Sequence, residues 1–120
     1  MDPQDVIDYG LLRYADPAKI DLGSYDSERV GCIFSNGLIL LSRRCPPDEQ
    51  VRILLHEIIH MHPQFMFYTG GLWEGSIVRD EGIESKIEAL AKRTFLERQD
   101  IVSILRDRLN EAAKHPLNCA

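Results

Sequence analysis

Apolar residues recur at helical spacing in four stretches of the chain and gather into two short runs around a turn in a fifth. Val6, Ile7, Leu11, Leu12 and Ala15 predict a short helix over residues 4–15, interrupted at Gly10. "ADPAKIDLGSYDSE" reads as irregular chain with turn residues. In "RVGCIFSNGLILLSRR" two apolar, partly β-branched runs flank Asn36-Gly37. That dipeptide tolerates the pair of positive φ angles of a type I′ turn, so the stretch predicts an antiparallel hairpin. "CPPDEQ" opens the next helix. Proline suits a first turn, where its missing N–H is not needed, and Asp48 and Glu49 favour the positive end of the dipole. This helix is expected from Pro47 to about Met61 and to stop near Pro63.

Residues 64–78, "QFMFYTGGLWEGSIV", have loop character. From Asp80 to Leu96 a stripe of Ile83, Ile87, Leu90, Ala91, Thr94 and Phe95 predicts a helix. A last helix, about Asp100 to Lys114, carries Ile101, Ile104, Leu105 and Leu109, and the tail "HPLNCA" is expected to be mobile. The fold class expected is α+β: a small antiparallel sheet packed on a few helices. The 120 residues fit a single domain, with a core over about 25–98 and a C-terminal helix and tail over 100–120.

Charge narrows the partners. The net charge is -5 and the basic residues are scattered, which argues against a phosphate-tracking nucleic-acid binder. The start of the chain is acidic and lacks the pattern of a signal peptide. No apolar run approaches the ~18 residues that span a bilayer, so no membrane role is expected. Cys32, Cys45 and Cys119 have no paired spacing and read as reduced thiols. The expectation is a cytoplasmic protein.

The chemistry is concentrated in "VRILLHEIIHMHP", residues 51–63. His56 and His60 lie four apart with Glu57 between them, in a helix that is apolar nearly all round. Two imidazoles and a carboxylate buried there need compensation. At i and i+4 both imidazoles reach one ion, and two neutral nitrogens suit Zn²⁺. Glu57 falls about 100° round the helix, where it can take a proton from a water that the ion acidifies. A catalytic zinc usually has three protein ligands. Glu84 sits at the edge of the buried stripe of the following helix and is the leading candidate; Glu81, Glu88, His115 or a water are the alternatives. Glu88 also suits a hydrogen bond to a ligand histidine. His62, two residues past His60, points away and is expected in a supporting role or at the surface.

A strand, then "QVRILLHEIIHMH", then a glutamate helix resembles the minimal zincin metallopeptidases, and is similar to the minigluzincins and the ImmA/IrrE-like group. The resemblance covers about residues 30–98. In the downstream pattern of those families Glu84 takes the place of the ligand, with Ile87, Glu88 and Leu90 departing from it. The resemblance implies a zinc-dependent peptidase: His56, His60 and Glu84 as ligands, Glu57 as general base, and a peptide or protein substrate. Tyr68, His62 and His115 are candidates for the oxyanion donor, while Tyr68 and Trp73 equally suit packing of the loop. It also implies latency, since C-terminal segments keep the minigluzincins inactive, and His115 and Cys119 could take the open zinc position. The oligomeric state expected is monomer or homodimer. The alternative function is a non-catalytic zinc-binding interaction module, which would have no use for Glu57.

Overall fold

The computed structural model describes residues 1–23, 31–33, 36–66 and 81–114. It is mostly helical, with one small sheet. Helix α1 (Gln4–Asp8) is followed by a 3₁₀ turn over Leu11–Tyr14. The break between them falls at Gly10, whose φ of 63° is left-handed and suits a residue without a Cβ. Asp16 then caps a second 3₁₀ turn, Pro17–Lys19, by accepting from the Ala18 N–H.

That turn leads directly into strand β1 (Ile20–Gly23). β2 is Gly31–Ile33 and β3 is Ile39–Ser42. The strand order is β1-β3-β2, with β3 central. β3 runs antiparallel to β2, with Ile33 opposite Ile39 and Gly31 opposite Leu41. It runs parallel to β1, with Ile20 opposite Ile39 and Leu22 opposite Leu41. The sheet is therefore mixed, which corrects the expected antiparallel sheet. "IDLG", expected as irregular chain, supplies the strand parallel to β3. Its four residues include Asp21 and Gly23, so it carries no strong strand signal of its own.

The turn also differs from expectation. Ile33 opposite Ile39 centres the hairpin on Asn36, so Asn36-Gly37 is not a two-residue loop. Gly37 has φ 87°, but no residue other than glycine has a positive φ among those described, which excludes a type I′ turn. The Asn36 side chain instead accepts from the Leu38 N–H at 3.0 Å, and Lys19 Nζ donates to the Asn36 carbonyl at 2.8 Å.

Helix α2 (Pro47–Ile59) is the centre of the molecule. Pro47 and the acidic Asp48 and Glu49 occupy its first turn, as the sequence predicts. Val51, Leu54, Leu55, Ile58 and Ile59 are completely buried. The helix ends at Ile59, two residues before the predicted Met61. The N–H groups of Met61 and His62 reach back only three residues, to Ile58 and Ile59, so the chain tightens before Pro63. Pro63 then starts a short helix, α3 (Pro63–Met66), at the beginning of a stretch expected to be loop. The remainder of that stretch lies outside the described residues.

Helix α4 (Glu81–Glu97) buries Ile87, Leu90, Ala91 and Thr94, with Ile83 and Phe95 half-buried beside them. The Thr94 hydroxyl donates to the Leu90 carbonyl one turn back, so it is satisfied within its own helix. Helix α5 (Gln99–Lys114) buries Ile101, Val102, Leu105, Leu109 and Ala112 in the same core. Ile104 is 38% exposed, while Val102 is buried. Arg106 pairs with Asp48 at the start of α2, and Arg108 donates to the Ala15 carbonyl. The C-terminal helix is thus built into the core. Among the described residues no helix is long and apolar enough to cross a membrane. Cys45 is a free thiol, which burial pushes above its ordinary pKa; the Cys32 side chain and Cys119 lie outside the description.

Candidate metal centre

α2 and α4 pack against each other, and the chemistry-bearing side chains meet at that contact. On α2 and its C-cap residue His60, Arg52, His56 and His60 follow one another at four-residue intervals and form one stripe. On α4, Glu84 and Glu88 have the same interval. His56 Nε2 lies 2.8 Å from one oxygen of Glu84, and His60 Nε2 lies 3.2 Å from the other. One carboxylate therefore faces the outer nitrogens of both imidazoles. The two rings are tilted at 59°, with centroids 5.0 Å apart. His56 Nδ1 is 2.7 Å from Glu88 Oε2, and the other Glu88 oxygen accepts from Arg52 Nη1.

The site is largely enclosed. His60 and Glu57 are buried, at 3% and 7% exposed. The His60 Nδ1 atom is buried with no hydrogen-bond partner among the described residues. Burying an imidazole nitrogen with no partner among the described residues costs free energy. Burial opposes the charge on His56, but hydrogen bonds to Glu84 and Glu88 and the nearby Glu57 charge outweigh it and raise its pKa. Burial works likewise against the Glu84 carboxylate. Its hydrogen bonds to His56 and His60 prevail and hold it well below the usual range.

The donor set fits zinc. Two imidazole nitrogens and a carboxylate oxygen, on two helices packed face to face, are the combination of a catalytic zinc site. Ligand atoms of His56, Glu57 and His60 also lie within 4.8 Å of one another, so Glu57 is near enough to bind by distance alone. Glu84 meets both Nε2 atoms, one with each oxygen, while Glu57 follows His56 about 100° round the helix.

The sequence candidates divide as follows. His56, His60 and Glu84 are brought together, Glu57 lies alongside, and Glu88 holds the far side of the His56 ring. Glu81 is exposed at the start of α4. His62 is turned away but is not at the surface: it is 3% exposed. Its Nδ1 accepts from the Gln64 N–H, capping α3, and its ring packs on Tyr9 and Phe65. Burial lowers its pKa. Tyr68, Trp73, His115 and Cys119 lie outside the described residues. Arg52 is the participant that motif reading missed; its position four residues before His56, on the same stripe, is the signal that finds it.

No family model, no curated protein and no solved structure matches this chain.

Proposed function

We propose that this chain is a zinc-dependent metallopeptidase of the minimal zincin kind, with His56, His60 and Glu84 holding the ion. The observation that carries the reading is the single Glu84 carboxylate facing both imidazole Nε2 atoms, with Glu57 buried alongside. Bound there, zinc would supply Lewis acidity, acidifying water and polarising a substrate carbonyl. Glu57 is the general base: it takes the proton from the attacking water and passes it to the departing amine. Glu88 fixes the ring of His56 through Nδ1, leaving Nε2 for the ion. The substrate is a peptide or protein, and the protein works in the cytoplasm, without nucleic acid or membrane, as a monomer or homodimer. Latency through the C-terminal segment belongs to the same proposal; a chain ending near Lys114 would then gain activity.

The test is peptide hydrolysis by the zinc-loaded protein, read by mass spectrometry on a mixed peptide library. Cleavage should stop when a chelator removes the metal, return with zinc, and fall by about 10²–10⁴ in Glu57→Gln. Cleavage by Glu57→Gln at close to the parent's rate would reject the assigned base. Stoichiometric zinc without cleavage, in both the full chain and the Lys114 truncation, would favour the non-catalytic zinc module.

A further inference from the structure

The two polar stripes interleave. Glu88 of α4 lies between Arg52 and His56 of α2, and Glu84 lies between His56 and His60. Each carboxylate bridges two successive positions of the facing helix. At one end of this chain stand the proposed ligands; at the other stands a guanidinium. Glu88 is held at both oxygens, Oε2 accepting from His56 Nδ1 and Oε1 from Arg52 Nη1. Arg52 is itself steadied by Glu49 one turn earlier, at 3.6 Å. The terminal torsion of a glutamate is broad, so a carboxylate fastened at one oxygen can swing about it. Fastened at both, it cannot, and neither can the ring it holds.

We propose that Arg52 is a positioning residue for the metal centre: it clamps Glu88, and Glu88 in turn fixes the ring orientation and tautomer in which His56 presents Nε2 to the ion. The role rests on the zinc reading above. It is distinguishable from a bystander ion pair by sign. A guanidinium near a cation site repels the cation, so on charge alone its removal tightens zinc binding. A clamp predicts the opposite. Arginine suits the clamp because its planar fork fixes a direction as well as a charge.

The experiment measures zinc affinity by competition with a chromophoric chelator, for the full chain and for Arg52→Met, Arg52→Lys, Glu88→Gln and the Arg52→Met/Glu88→Gln pair. Methionine keeps an apolar stem of similar length, and the Arg52 side chain is 30% exposed, so the fold should tolerate the change. Arg52→Met is expected to weaken zinc binding about tenfold, the low end for residues that orient a ligand from outside. Arg52→Lys should recover part of the loss. In the Glu88→Gln background Arg52→Met should add about twofold at most, because its effect passes through Glu88. A second readout needs no metal: the His56 Nδ1–H resonance should be protected from exchange in the parent and lost in both Arg52→Met and Glu88→Gln. Unchanged or tighter zinc binding in Arg52→Met, or an equal loss in both backgrounds, would overturn the proposal. If the parent binds no zinc, the metal reading fails by itself. The ring proton then decides the role of Arg52, and a resonance indifferent to Arg52→Met overturns it.

Discussion

Replacing Gly31 by alanine asks how closely the sheet is seated on the helix that carries the site. A Cβ at Gly31 would lie 2.5 Å from Ile53 Cγ2 and 3.2 Å from Leu41 Cδ2. Carbon atoms rest at about 3.5–4.0 Å, so the first contact overlaps by more than 1 Å. Leu41 can yield, because Cδ2 is the end of a flexible side chain. Ile53 cannot easily do so: Cγ2 is bonded to Cβ, and a β-branched residue in a helix has essentially one χ1 rotamer. β2 must then move away from α2, or Ile53 must leave its rotamer. Either costs roughly 1–3 kcal/mol, as overpacking does elsewhere. Gly31 does not have a positive φ, so alanine suits the backbone and recovers about 0.4–1 kcal/mol from the unfolded chain. The net expectation is a loss of roughly 1–2 kcal/mol, a fall in Tm of roughly 4–8 °C for a chain of this size. The assay is thermal and urea unfolding of the metal-free protein. The same substitution should cost less when Ile53 is already alanine, since the clashing methyl is then gone. A Gly31→Ala protein as stable as the parent, or more so, would refute the close seating of β2 on α2.

Three further outcomes are expected. Glu57→Gln should lower peptide hydrolysis by about 10²–10⁴, the usual worth of a general base, while zinc content stays that of the parent. Leu105→Ala, at a fully buried position of α5, should cost about 2–5 kcal/mol in urea unfolding; a loss below 1 kcal/mol would show that α5 is an appendage. The Asp100 carboxyl, clamped by the Arg98 fork at 2.8 and 3.0 Å, should titrate at about 2 by carbon NMR and return toward ~3.9 in Arg98→Gln. Because this pKa is depressed on folding, the stability it confers is complete above the unfolded value and is lost as pH falls through about 2.

The helices were legible because each announces itself locally. The apolar stripe of α4, the proline and acidic start of α2 and the stop near Pro63 are all nearest-neighbour signals. The parallel strand was not legible. β1 pairs with a segment nineteen positions on, Ile20 with Ile39, and nothing within "IDLG" encodes that partner. On α5, Val102 is buried while Ile104 is 38% exposed; both are apolar, and only tertiary packing chooses between them. At the site, the i, i+4 pair of His56 and His60 fixes a shared face on sequence grounds alone. Which glutamate of α4 meets that face depends on how two helices dock: the packing puts Glu84 against both Nε2 atoms and Glu88 against His56 Nδ1, and no local pattern in either helix encodes that. Arg52 belongs to the same geometry. No motif includes it, yet it continues the stripe by one more turn.

The central claim is that His56, His60 and Glu84 together hold a zinc ion. The most direct test is zinc per chain, by atomic emission on protein supplied with zinc and desalted, for the parent, His56→Ala and Glu84→Ala. The account predicts about one zinc in the parent and none in either variant, as a three-ligand site requires. Zinc retained in Glu84→Ala would move the third ligand elsewhere, and a parent without zinc would contradict the account outright.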